Sequence, residues 1–285
     1  MTVSDGIRSL FDGWEETMVW SCLQGVMGRG AVNEDGSAGM IVHQDFTFLA
    51  GEPDRTLLAK AKGPILVPRT EEWEPVIEDF FQDRAVRETR YAIKKEPDVF
   101  DRRKLEHFAA SLPEGYELRL VDEALVPVLL AEEWSRDLCS AFNGPADCCK
   151  RGVGTAVLYG GVPVAGAGAY CVYRGGIEIE IDTRSDHRRK GLAAACGARL
   201  ILECLDRDLY PSWDAIDLRS VALAEKLGYH RGEPYTTYWT GREGQDGYNP
   251  ACDCGGPDRR NTGGQRAAGR CSTLKSTKDS CGFAP

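Results

Sequence analysis

Residues 177–205, IEIEIDTRSDHRRKGLAAACGARLILECL, constrain the fold more tightly than any other part of the chain. The stretch opens by alternating isoleucine with acidic residues, the period of a strand whose two faces meet different surroundings. It turns through Arg188, Arg189 and Lys190. From Gly191 to about residue 206 it becomes a run of small and apolar residues that reads as a helix. On the strand, Glu178, Glu180 and Asp182 share one face. Ile177, Ile179 and Ile181 share the other, where the simplest partner is a helix.

The turn is conspicuous because the chain is acidic, with a formal net charge of -9. That balance argues against a broad nucleic-acid surface, which needs a basic excess. A small anion site remains open. The first turn of a helix presents N–H groups that lack intrahelical partners, and the helix dipole adds positive potential there. Phosphate oxygens suit such an end. Gly191 lets a ligand approach the backbone, and Ala193 does nearly the same. These features suggest a phosphate site between strand 177–183 and helix 191–206. The plainer alternative is a solvated basic turn.

The 285 residues have room for two modest domains or one large domain with a tail. MTVSDGIRSLFDGWEE lacks the pattern of a secretory signal, and no apolar run reaches the roughly 18 residues of a membrane span. The expectation is a cytoplasmic protein without nucleic-acid or membrane partners. Eleven cysteines, an odd number, are expected to be mostly reduced; Cys22, Cys171, Cys196 and Cys204 sit among apolar residues. Residues 241–285 are rich in Gly, Arg, Ser and Thr, a composition expected to stay disordered. Cys252, Cys254, Cys271 and Cys281 lie there, but their spacing poorly matches a zinc site. No metal is expected.

A boundary is expected near residue 113. Before it, helices are expected over 7–24, 54–61, 71–81 and 100–113, and strands within 37–53, 64–68 and 87–95. After it come a strand at 116–122, a helix over 123–142 that Pro127 kinks or delays, and three strands within 153–183 turned at Gly160-Gly161 and Gly175-Gly176. The helix from Gly191, a strand at 210–216, a helix over 218–229 and a last strand ending near residue 240 complete the pattern. Residues 37–95 and 162–240 both read strand, strand, helix, strand, helix, strand. A degenerate duplication is one explanation; the other is that alternating α/β chains often look alike.

Arg188-Arg189-Lys190-Gly191-Leu192-Ala193 fits R/Q-x-x-G-x-G/A. With the acidic strand before it and DAIDLRSVALAEKLGY after the helix, it resembles the acetyl-CoA pyrophosphate motif of the GNAT acyltransferases. In the later segment Ser220, Lys226, Gly228 and Tyr229 fit, while Asp217 stands where asparagine is usual. The segments GWEETMVWSCLQGVMGR, TRYAIKKEPDVFD, LAEEWSRDLCSAF, GGIEIEIDTR and YPSWDA resemble a bacterial group of the family that includes zwittermicin-resistance-type acetyltransferases. The likeness covers about residues 5–240. It implies an α/β fold with a mixed sheet and a GNAT domain over 113–240; an N-terminal α/β domain over 1–112, a degenerate GNAT-like half on the duplication reading, precedes it, and a tail follows at 241–285.

The resemblance also implies an activity, acetyl transfer from acetyl-CoA to a primary amine of a small molecule. The excess of carboxylates favours a cationic acceptor. On this reading Arg188, Arg189, Lys190, Gly191, Leu192 and Ala193 hold the pyrophosphate. The backbone of Ile181, Asp182 and Thr183 holds the acetyl and pantetheine groups, and Asp217 and Ser220 complete the cofactor site. Glu178 or Glu180 removes the amine proton, with Glu178 favoured. The family's usual tyrosine position is Ala224, so protonation of the leaving thiolate passes to Tyr235, with Tyr238 and Tyr229 as further candidates. The departures at Asp217 and Ala224 leave a second reading, a non-catalytic acyl-CoA-binding or partner-binding module.

Overall fold

The computed structural model describes residues 5–241. The expected tail, its cysteines and the zinc reading attached to them lie outside the described residues. The chain begins with two helices, α1 (Asp5–Phe11) and α2 (Thr17–Leu23), where the sequence predicts one helix over 7–24. The break has a local cause. Gly13 adopts a positive φ of 69°, and Glu16 is extended and caps α2 by accepting from the Met18 N–H. The apolar stripe survives the break: Phe11, Met18 and Cys22 are all buried.

The first half continues through β1 (Arg29–Val32), β2 (Ala38–His43), β3 (Phe46–Gly51), α3 (Arg55–Leu58), β4 (Ile65–Pro68), α4 (Trp73–Phe81), β5 (Val86–Ile93) and α5 (Arg102–Ala110). The second half has β6 (Tyr116–Leu120), α6 (Leu125–Ala131), α7 (Pro145–Arg151), β7 (Gly154–Tyr159), β8 (Val162–Tyr173) and β9 (Gly176–Thr183). It ends with α8 (Leu192–Asp206), β10 (Tyr210–Ser212), β11 (Asp214–Ala215), α9 (Leu218–Leu227) and β12 (Arg231–Trp239). The helix expected over 123–142 stops at Ala131. Pro127 lies in the first turn of α6, where its missing N–H costs little, and a 3-10 turn, Glu133–Leu138, follows. Strand β1 and helix α7 have no counterpart among the sequence expectations.

The strands form two sheets, β1-β2-β3-β4-β12-β5-β11 and β10-β9-β8-β7-β6. Both halves follow the predicted order of elements, yet their last strands are exchanged. Strand β12 pairs antiparallel with β4 and β5, and β5 reaches β11 on its other side. The division expected near residue 113 is therefore crossed by the pairing of a seven-stranded sheet. The strand expected at 210–216 is also divided, β10 joining one sheet and β11 the other.

One face of the five-stranded sheet meets α8 in the largest core cluster. Ile177 and Ile179 pack there with Leu192, Cys196, Leu200 and Ile201, as the alternation predicts. Gly197 explains the small residues of α8, since a Cβ there would lie 2.8 Å from Leu227 and 3.0 Å from Ile181. The opposite face of that sheet, through Tyr170 and Cys171, shares a core with α1, α2 and the Phe46–Phe48 side of the seven-stranded sheet. Helices α3 and α4 cover the other side of the larger sheet. Cys22, Cys171, Cys196 and Cys204 are buried free thiols. No described helix is long and apolar enough to cross a membrane.

Candidate functional site

Strands β9 and β10 run parallel for three pairs only, Gly176↔Tyr210, Ile177↔Pro211 and Glu178↔Ser212. Beyond Glu178 they part. Strand β9 continues with β8 as its strand neighbour, while Trp213 leads the other chain across to β11, which pairs with Ala92 and Tyr91 of β5. The indole N–H of Trp213 donates to the Ser220 hydroxyl (3.2 Å), which fastens the point of divergence to α9. A wedge therefore opens between Ile179–Thr183 on one side and the seven-stranded sheet on the other.

The wide end of the wedge leads to the basic turn. Gly191 has φ +82° at the N-cap of α8, and no side chain caps that helix. The first ladder bond runs from the Ala195 N–H to the Gly191 carbonyl (3.1 Å), so the N–H groups of Leu192, Ala193 and Ala194 precede the ladder. A Cβ on Gly191 would meet nothing within 4 Å. Arg188, Arg189 and Lys190 are exposed. Arg188 donates to the Thr183 carbonyl (3.1 Å), and Lys190 reaches the Tyr116 hydroxyl (2.9 Å). Arg189 adopts a positive φ of 63°.

The narrow end of the wedge is rich in carboxyl groups. Glu178 is only 5% exposed. One of its oxygens accepts from the Thr17 hydroxyl, and the other, Oε1, is buried with no hydrogen-bond partner among the described residues. Burial and the nearby Glu16 carboxyl push Glu178 up to about 8. Glu16 rises to about 7 through burial and Asp214. Glu180, half-buried, rises to about 8 through burial and the Asp182 and Asp137 carboxylates. The acidic face of the strand is thus largely withdrawn from water at Glu178, because α2 lies over it. Helix α2 is held there by the Ser21 hydroxyl on the Val172 carbonyl (2.6 Å).

The facing sheet adds a second group. Arg90 and Asp214 form a buried ion pair at 2.6 Å, each side chain 10% exposed. Tyr235 donates to the other Asp214 oxygen (2.6 Å), and the Arg90 guanidinium lies 5.1 Å from the Phe46 ring centre. Burial, then the Asp214 charge, lifts the Tyr235 phenol well above its ordinary range. In the β12–β5 register Tyr235 stands opposite Arg90, so both point from the same side. Lys95 lies beside this cluster, its ammonium bonded to the Glu15 carbonyl (3.1 Å) and 5.5 Å from the Trp20 ring centre.

The structure thus brings Glu178, Glu180 and Tyr235 to one wedge and sets Ile181, Asp182 and Thr183 along its wall, with the 188–193 turn at its mouth. Asp217 is the N-cap of α9. Its Oδ1 accepts from the N–H groups of Arg219 (2.9 Å) and Ser220 (2.8 Å), and Arg219 Nε bonds Oδ2 (2.8 Å). A carboxylate serves that task as well as asparagine does. Tyr238 projects to the opposite side and donates to Glu78 (2.7 Å), and Tyr229 is a core residue bonded to the Pro211 carbonyl (2.6 Å). Neither faces the wedge. Sequence reasoning missed Glu16, Thr17, Arg90, Lys95 and Asp214, which come from the first half and from β11. A groove of about 460 Å³ between α5, β6 and α8 lies on the other face of the five-stranded sheet.

A family profile described as GNAT acetyltransferase matches residues 8–238. A curated relative, the uncharacterized N-acetyltransferase YdfB of Bacillus subtilis (strain 168), is 28% identical over 207 residues, 72% of this chain and 76% of that protein. A solved structure, a GCN5-related N-acetyltransferase-like protein from Streptococcus suis 89/1591, is 42% identical with a TM-score of 0.79, over 82% of this chain and 98% of that one. The parting of β9 and β10 beside an uncapped helix start agrees with these likenesses, and the chain belongs to the GNAT acetyltransferase family.

Proposed function

We propose that the protein transfers the acetyl group of acetyl-CoA to a primary amine of a small cationic molecule, in the wedge between β9 and β11. The observation that carries this reading is the parting of β9 and β10 at Glu178, with an uncapped helix start at its open end. The residues fit the ligand. The open space over Gly191 and the unladdered amides of α8 suit a pyrophosphate. Acetyl-CoA supplies an activated thioester and a leaving thiolate. The protein's part is to hold the two reactants together, which removes much of the entropic barrier.

The wall formed by Ile181, Asp182 and Thr183 offers backbone groups along the path from helix to carboxyl cluster. Glu178 accepts the amine proton, with Glu180 as the neighbouring carboxylate. A group titrating near 8 is close to the working pH, where a general base is most effective. Tyr235 enters the reaction protonated and is assigned as proton donor to the leaving thiolate. A cationic acceptor suits these carboxyl groups, because its charge would favour their ionised forms. The likeness of the quoted segments to zwittermicin-resistance-type acetyltransferases supports a small molecule in that place.

The test is release of free thiol from acetyl-CoA across a panel of small amines. Saturable, amine-dependent thiol release is expected. Acetyl-CoA binding in calorimetry with no turnover on any amine would support the non-catalytic acyl-CoA-binding module instead.

A further inference from the structure

The carboxylate assigned as base does not stand alone, and its nearest polar partners come from the other half of the chain. Glu178 lies at the last pair before β9 and β10 separate. It is almost wholly buried, with Oε1 unpartnered among the described residues. Its Oε2 is taken by the hydroxyl of Thr17, the first residue of α2. Thr17 is itself fully buried. Glu16, next in the chain and N-cap of the same helix, holds its carboxyl on the Met18 N–H (3.4 Å), near enough for its charge to act on Glu178.

We propose that Thr17 and Glu16 are positioning residues for Glu178, the Thr17 hydroxyl orienting the carboxylate and stabilising its charged form while Glu16 opposes that charge. This rests on the reading of Glu178 as the base. A hydroxyl donating to a carboxylate favours ionisation, and a neighbouring carboxylate disfavours it. The other groups around Glu178 bear on the same balance. They are Lys95 beyond β5, Asp214 on β11, Cys171 and Tyr173 on β8, Tyr210 on β10, Tyr229 after α9, and Glu180 on its own strand. Lys95 favours the charged form, and Asp214 works against it. Thr17 and Glu16 stand out because one short helix start supplies both, with opposite sign. The arrangement makes the proton affinity of a second-half residue depend on how the first half docks.

The opposed signs supply the test. The full chain is labelled with carboxyl-carbon-13 glutamate, and the Glu178 signal is identified by its loss in Glu178→Gln. Its titration midpoint is then followed in the wild type and three variants. Thr17→Val keeps the shape but removes the donor, so the midpoint should rise. Glu16→Gln removes the opposing charge, so it should fall, each by about one pH unit. Thr17→Ser restores the hydroxyl and should return the midpoint to the wild-type value, which a purely packing role for Thr17 would not require. Thermal melts confirm that each variant is folded. A variant that fails the melt is replaced by Thr17→Ala or Glu16→Ala, with the same expected directions.

Midpoints that stay put, or that move the same way in both variants, overturn the proposal. The titration needs no acceptor and no turnover, so it stands apart from the assignment of the base. If Glu178→Gln keeps wild-type turnover while the midpoints move as expected, the coupling holds and the base lies elsewhere.

Discussion

At the scale of single residues, the site depends on a carboxyl group kept from water without a full set of partners. Glu178→Gln preserves shape and removes proton acceptance. A general base contributes roughly 10²–10⁴-fold in rate. The variant should lose kcat at neutral pH, more than Glu180→Gln, and the loss should shrink at high pH as free amine becomes abundant. A residue that only attracts the acceptor would raise KM and leave kcat near normal. Wild-type kinetics in both variants would remove this strand face from the mechanism. Stability should move the other way. The folded Glu178 carboxyl titrates near 8, above its ordinary value of 4.5. Its stabilising contribution is complete below about 4.5 and is lost as pH rises through 8, where a buried charge must form. Glu178→Gln should therefore melt close to the wild type at pH 5 and above it at pH 9, by about 2–4 °C for each kcal/mol relieved. Equal melting temperatures at pH 9 would show that the ionised group is well solvated.

At the scale of elements, the start of α8 supplies the clearest prediction. Valine at Gly191 would be forced to a φ of +82° and would put methyl groups where a pyrophosphate should lie. Gly191→Val should weaken acetyl-CoA binding at least about tenfold, near 1.4 kcal/mol, in calorimetry on folded protein. Unchanged affinity would sink the assignment of this turn. The strand–turn–helix of residues 177–205 was legible because its alternation, its small residues and its glycine are all local signals. The carboxylate face was legible as a face but not as a buried one. Nothing near Glu178 in sequence announces that α2, some 160 residues away, would cover it. The break between α1 and α2 was hidden by an apolar stripe that runs through it from Phe11 to Cys22, although Gly13 and the extended Glu16 are its local cause. Arg90 and Asp214 lie in segments that carry the resemblance, TRYAIKKEPDVFD and YPSWDA, yet no local pattern pairs them. They meet only because the strand at 210–216 changes sheet at Trp213, a consequence of tertiary packing.

At the scale of the whole molecule, the exchanged strands tie the two halves together. Strand β12 fills the place between β4 and β5, and β5 fills the place between β12 and β11. Residues 1–112 alone would keep a gap in the middle of their sheet, and residues 113–240 would lose the partners of β11 and β12. Neither half expressed alone should show a sharp, cooperative thermal transition, whereas residues 1–240 should. A sharp melt from residues 1–112 would show that β4 and β5 can close without β12. The same exchange sets the timing of assembly. Chains emerge from the ribosome in order, at roughly 5–20 residues per second. The strand that completes the first sheet, β12, is the last made of the described strands. For seconds to tens of seconds a nascent chain presents β4 and β5 with open edges, and edges of that kind recruit other strands. The design that carries Arg90 to Asp214 should therefore leave a new molecule open to mispairing with its neighbours until β12 arrives.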